Sequence, residues 1–341
     1  MIANLELTFW EIDRDAKLVI IDLWRSEDLT PWTKNLSFLS LAMHSDVDQL
    51  ILEKSLNEAD GGWVDVAAVD QSLNHIAGTI ISAAHSQLLR QHGCHTLSYS
   101  LFQPGMRHFA GVKGLVAFEK HFLTTLVLGD PLASRDDSGA VLDSFLAEHS
   151  SPFFCAIGRE TAVLLQDRGF RINRYGSDVR IPIQTYSLNG KSRLRSFKNA
   201  LARSGYTVKE YPKNDPALDF AAEAISVKWR ESKTVSDKEV RFLQRPIVYG
   251  FEADVRKFFV EDRNKETVAF FYFDPLYEGG KVIGYTTAFK RQIPGLMNGL
   301  EQAVTLLAID KFKGEGKTWL HLGAMPLHEV DQPSGFRSST P

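Results

Sequence analysis

Hydrophobic and polar positions divide the chain into three successive stretches. In the first, Lys17-Leu-Val-Ile-Ile-Asp22 predicts a strand, and Ile76, Ile80, Ile81, Ala84 and Leu88 predict a helix over 76–90. Their spacings of three and four gather them on one helical face, and Gly93 supplies the stop. Residues 1–95 therefore read as an N-terminal α/β accessory region, with no chemistry of its own.

The second stretch, 96–186, carries strand patterns at Gly114–Phe118 and Leu123–Leu128, rich in β-branched and aromatic residues. Gly129-Asp-Pro-Leu132 breaks the second of them, since Pro131 has no N–H to give to a ladder. A helix over 138–149, a strand over 152–157, a helix over 160–168 ending at Gly169, and a strand over 170–173 follow. The third stretch, 187–341, echoes that order. Strands over 267–273 and 281–289 flank an expected turn, Asp274–Gly280. A loop at Pro294–Gly299 then leads into a helix over 300–312 and a strand over 319–322, closed by Gly323 and Pro326. Only fifteen mostly polar residues follow Pro326, so the second lobe reads as incomplete at its C-terminal end.

Composition and charge narrow the classes. The 341 residues are 44% apolar and 24% charged, enough to bury a core. A net charge of -3 does not suit a generally basic nucleic-acid binder. Cys94 and Cys155 make no disulfide framework, which fits a reducing cytosol. The acidic N-terminus does not read as a signal peptide, and no apolar stretch reaches the ~20 residues of a membrane span. The expected location is cytoplasmic, peripheral at most to the inner face of the membrane.

Against that balance, residues 187–213 hold seven basic side chains and one acid, Glu210. Lys191, Arg195 and Lys198 would share one face of a helix, with Arg203 further along. Such a face is either simply solvated or suited to phosphates, of tRNA or of an anionic lipid headgroup. Asp130 and His321 lie at or within predicted strands and could act as general bases. Their plainer readings are an Asp-Pro turn and a half-buried, satisfied histidine. His92-Gly-Cys94-His95 is too sparse for a zinc site. Gln292-Ile-Pro-Gly295-Leu-Met297 holds half of a Q-x-x-G-x-G pyrophosphate loop, so coenzyme A stays an alternative ligand, and no cofactor is otherwise called for.

Several short segments occur in a telling order: Gly114–Phe118, Val127–Leu132, Gly169-Phe170, Leu188–Lys191 with Arg195, Asn199, Arg203 and Gly205, and Leu322–Leu327. Over residues 100–327 this resembles the C-terminal catalytic domain of phosphatidylglycerol lysyltransferases. The resemblance implies an α+β fold of tandem GNAT-like (N-acetyltransferase-type) lobes over 96–186 and 187–341. Each lobe would have a mixed, mostly antiparallel sheet flanked by helices. It also implies an aminoacyltransferase that moves an aminoacyl group from aminoacyl-tRNA to a lipid hydroxyl. The ester donor is already activated, so no coenzyme A site is needed. An acyl-coenzyme A dependent N-acyltransferase and a non-catalytic binding module are the alternatives. The expected catalytic groups are His321, Asp130 and Asp274. Phe271, Arg291, Gly295, Met297, Asn298 and Gly323 are expected to line the cleft, with Arg291 as the phosphate binder.

Overall fold

The computed structural model describes residues 7–13, 18–23, 83–111, 113–121, 124–212, 215–233 and 242–328. Strands β1 (Leu7–Asp13) and β2 (Leu18–Leu23) form an antiparallel pair, and β2 covers most of the first expected strand. The expected helix over 76–90 appears as α1 (Ala83–His92). Its first seven positions lie outside the described residues, as does the segment after His328.

The first lobe is built on a sheet of β3 (Arg107–Gly111), β4 (Gly114–His121), β5 (Thr124–Leu128), β6 (Leu132–Ala133) and β7 (Phe153–Cys155). Helix α2 (Ser138–Glu148) connects β6 to β7, and α3 (Arg159–Asp167) follows. All pairings are antiparallel except β5 with β7. Leu142 and Phe145 of α2 pack at 0% exposure against this lobe, with Phe145 beside Val116, Phe118 and Val127.

The second sheet contains β8 (Gly176–Pro182), β9 (Thr207–Glu210), β10 (Arg256–Glu261), β11 (Thr267–Glu278), β12 (Lys281–Gln292) and β13 (Trp319–Pro326). Helices α4 (Ser192–Ser204), α5 (Pro216–Glu231) and α6 (Leu300–Gly314) cover it. The strand order is β8-β13-β12-β11-β10-β9, antiparallel except for β12 with β13. Each lobe thus has the mixed, mostly antiparallel sheet expected of it.

Three local expectations are corrected. No strand forms over 170–173; the strand begins at Gly176. Asp274–Gly280 is not a turn, because β11 runs on to Glu278 and the hairpin turns only at Gly279-Gly280. Pro275 is tolerated inside the strand, opposite Tyr285. The edge beyond β13 is occupied by β8 in antiparallel register. Since β8 precedes residue 187, the second sheet takes a strand from before the expected boundary.

Strand β11 shows why its sequence is apolar almost throughout. Side chains alternate between faces, and both faces are covered. Phe271 and Phe273 point with Leu320 into the core under α6, whereas Phe270 and Tyr272 join Ala222 and Ile225 of α5. Helix α1, whose Leu89 packs with Leu115 and Leu128 of the first lobe, is joined to the second lobe through backbone. The last carbonyls of a helix lack partners within it, and the hairpin supplies them for α1: Gly280 and Gly279 N–H donate to Arg90 and Gln91 O, and Tyr277 N–H to Gly93 O. A Cβ on Gly93 would lie 2.4 Å from Leu89 O, so glycine is required at this closure. The clamp delivers His95 and Thr96 to the face of β13.

Candidate active site

Strands β12 and β13 pair over only three rungs, the last being Thr286 with His321. Beyond it they part, β12 continuing against β11 to Gln292 and β13 against β8 to Pro326. His321 therefore sits at the fork. The register shifts immediately after it, and Gly323 adopts φ +90°, a conformation that side-chain-bearing residues avoid. Leu320 faces the α6 core, so period-2 alternation turns His321 to the opposite face, toward the loop after α1.

There Thr96 Oγ1 donates to Asp178 Oδ2 at 2.7 Å and lies 2.8 Å from His321 Nδ1. A threonine hydroxyl has one proton. With that proton on Asp178, Thr96 must accept from His321 Nδ1–H. The neutral imidazole is thereby held as the Nδ1–H tautomer, and Nε2 carries a lone pair with no partner among the described residues. His321 is 3% exposed. Burial lowers its pKa to about 4, with the attraction of Asp178 opposing and the repulsion of Arg180 and His95 adding to the fall. At neutral pH the ring is an uncharged acceptor.

The polar run continues into the first lobe. His95 Nδ1 accepts from Leu97 N–H at 3.2 Å, leaving the ring proton on Nε2, which lies 4.0 Å from Asp130 Oδ2. Asp130 Oδ1 accepts from Gly158 N–H at 2.8 Å, at the start of α3. Two further polar atoms, Thr286 Oγ1 and Asp178 Oδ1, are buried with no hydrogen-bond partner among the described residues. The seam between the lobes thus offers a carboxylate oxygen, a hydroxyl and an imidazole lone pair to a ligand carrying N–H or O–H groups.

A separate cavity of about 450 Å³ lies by the far end of β12, lined by Trp229, Lys233, Phe271, Lys290, Gln292 and Glu301 among others. A volume of that size accommodates a small ligand.

The model for the phosphatidylglycerol lysyltransferase C-terminal region matches residues 86–340. The chain belongs to this family. It is 29% identical over 257 residues to phosphatidylglycerol lysyltransferase of Bacillus subtilis (strain 168), an alignment covering 71% of this chain and 28% of that protein. The chain therefore spans less than a third of that relative. Among solved structures, L-PGS from Bacillus licheniformis superposes with a TM-score of 0.59 at 24% identity, covering 72% of this chain and 76% of the other. The C-terminal domain of a putative lysylphosphatidylglycerol synthetase from Agrobacterium fabrum gives 0.59 at 15% identity, covering 71% and 79%. Both share the fold.

The stretch matched by the family model takes in the whole seam. Of the residues singled out from sequence, it brings together Asp130 and His321, with Gly323 two positions along β13. His95 was weighed only as a zinc ligand, and Thr96, Asp178 and Arg180 were missed. Only the break of β5 at Gly129-Asp130 pointed toward this place, and nothing local pairs Thr96 with a residue 225 positions away.

The other singled-out residues lie elsewhere. Asp274 is 3% exposed and both its oxygens bond Arg245, at 2.9 and 2.6 Å. Arg245 also meets Glu252 at 3.1 Å, and Glu252 meets Lys257 at 2.9 Å. This buried tetrad of two cations and two carboxylates is a structural lock, with Asp274 held to Arg245 through both of its oxygens. Arg291 is 4% exposed, its guanidinium 4.7 Å from the centre of the Trp229 ring and 5.6 Å from that of Phe289. It is packed inside rather than presented to a phosphate. Phe271 borders the cavity, Met297 packs against the α6 core, and Asn298 and Gly295 are exposed in the loop.

On the basic helix, Lys191 donates to Ser187 O and lies over Tyr186, while Lys198 is paired with Asp310. Arg195 and Arg203, eight positions apart on one stripe of α4, are exposed.

Proposed function

We propose that this chain transfers an aminoacyl group from aminoacyl-tRNA to a hydroxyl of an anionic lipid such as phosphatidylglycerol. The observation that carries the reading is the family match across both lobes, with the buried polar fork between them. The lipid hydroxyl oxygen attacks the ester carbonyl carbon of the donor and forms a tetrahedral oxyanion. Collapse breaks the bond to the terminal ribose oxygen of the tRNA. The proton leaves the lipid hydroxyl for His321 Nε2, the one imidazole nitrogen in the seam with an unengaged lone pair, and passes to the departing ribose oxygen. Backbone N–H groups beyond the last β12–β13 rung, Thr286 with His321, would hold the oxyanion. Arg195 and Arg203 would engage the phosphates of the tRNA. The enzyme would then work in the cytoplasm against the inner leaflet.

The same geometry disfavours coenzyme A. A carboxylate at a helix N-terminus competes with a pyrophosphate for the same N–H groups and dipole. Here Asp137, paired with Lys113, stands at the N-cap of α2, and Glu301, paired with Lys290, lies in the first turn of α6. Mass spectrometry of lipids extracted after expression tests the proposal. An aminoacylated phosphatidylglycerol should appear with the wild-type chain and be lost with His321→Leu. An unchanged lipid profile, together with thermal stabilisation by coenzyme A, would replace it with the acyl-coenzyme A reading.

A further inference from the structure

The antiparallel ribbon of β8 and β13 ends in a narrow tip. Gly176 pairs with Pro326 and Ser177 with Met325, and Leu327 N–H donates to Tyr175 O at 2.8 Å. A Cβ on Gly176 would lie 2.3 Å from Met325 O, so the two strands close tightly there. Three large apolar side chains project from this tip into solvent: Tyr175 at 47% exposure, Met325 at 45% and Leu327 at 78%. Single exposed apolar residues carry no meaning, but a contiguous group does.

Two arginines stand just before the tip in the chain: Arg174 donates to Ser177 Oγ at 2.9 Å, and Arg171 is exposed four residues before Tyr175. The one carboxylate on β8 is Asp178, whose Oδ2 is engaged by Thr96 and Arg180.

We propose that this tip is a docking surface for an anionic lipid bilayer, with Tyr175, Met325 and Leu327 entering the headgroup–acyl boundary and the arginines meeting lipid phosphates. Apolar side chains that enter a membrane, flanked by basic ones held at its surface, are the combination that binds anionic bilayers. An RNA surface would use the arginines and has no need of exposed Met325 and Leu327. From His321 at the fork to Leu327, just past the end of β13, is roughly 20 Å at about 3.3 Å per residue. Docking here would hold the seam about that far from the headgroup plane. The inference rests on the reading that the acceptor is a lipid.

Flotation with vesicles of phosphatidylglycerol and phosphatidylcholine in equal parts, against phosphatidylcholine alone, tests it. Wild type should float with the first and not the second. Met325→Ser/Leu327→Ser should reduce the partition coefficient about tenfold or more, since each residue removes buried apolar area. Tyr175→Trp should be quenched by brominated phosphatidylglycerol beyond the wild-type background. Transfer to detergent-dispersed phosphatidylglycerol should be the same for wild type and the Met325/Leu327 variant, which separates docking from chemistry. Equal flotation of that variant and wild type, or no flotation of wild type, overturns the docking surface while leaving transfer standing. Absence of transfer to any lipid overturns the proposed function and leaves the flotation result intact. If Arg171→Glu weakens tRNA binding and not flotation, the tip faces RNA and the inference is wrong.

Discussion

His321 should make folding sensitive to acid, in a pH window that one substitution can isolate. In the unfolded chain its imidazole titrates at 6.5, and in the fold at about 4. The folded-state value is the lower, so the unfolded chain takes up the proton first. Stability is therefore undiminished above pH 6.5 and falls as pH drops from 6.5 toward 4. A difference of about 2.5 pKa units, at ~1.4 kcal/mol each, makes the total loss about 3–4 kcal/mol. The physical source is burial of a ring whose Nδ1–H is committed to Thr96, with Arg180 and His95 adding repulsion to any added charge. His321→Asn keeps an N–H donor near the Nδ1 position and cannot titrate. Urea denaturation of both proteins at pH 7, 6, 5 and 4.5 is the assay (~1 M spacing in midpoint is resolvable at typical slopes). Carboxylates common to both proteins cancel in the difference. Wild type should lose stability relative to the variant by roughly 1.4 kcal/mol per pH unit in the middle of the window. Parallel curves for the two proteins from pH 7 to 4.5 would refute the buried neutral histidine, and with it the tautomer assigned through Thr96.

Three further outcomes follow from the packing. Asp274→Ala should lower the unfolding free energy by about 3–5 kcal/mol, because it strands Arg245 in a buried site; chemical denaturation measures this, and a loss under 1 kcal/mol would mean that the tetrad is open to water. Gly158→Ala should destabilise, since its Cβ would lie 2.8 Å from Asp130 Oδ2, and the cost should largely vanish in an Asp130→Ala background, a coupling of about 0.5–3 kcal/mol in a double-mutant cycle. Arg195→Glu/Arg203→Glu should leave stability within about 0.5 kcal/mol and flatten the salt dependence of tRNA binding by about two phosphates' worth; an unchanged slope in filter binding would leave α4 a solvated face.

Much of this architecture is local and therefore legible in the chain. The helices over 138–148 and 300–314 announce themselves by apolar spacing, and β4, β5, β11 and β12 by β-branched and aromatic runs. The tandem order of those elements, with the short segments from Gly114 to Leu327, is enough to give the family and the fold class. Asp130 and His321 stand out for the same reason, as polar residues at strands whose neighbours are apolar.

What the tertiary structure alone decides is which polar groups meet. Asp274 and His321 are both titratable residues in buried strands, and sequence treats them alike. One is neutralised by Arg245, brought from 29 positions away, while the other keeps a free lone pair because Thr96 engages only its Nδ1. Likewise, nothing around Gly176–Pro182 says that it will pair with β13 across the 136 residues of intervening chain; an edge strand is chosen by the open hydrogen-bonding groups that it satisfies. Local periodicity determines where helices and strands form, because it depends on neighbours a few residues apart. The state of a buried charge depends on partners delivered by long-range closure, and only the folded chain contains them.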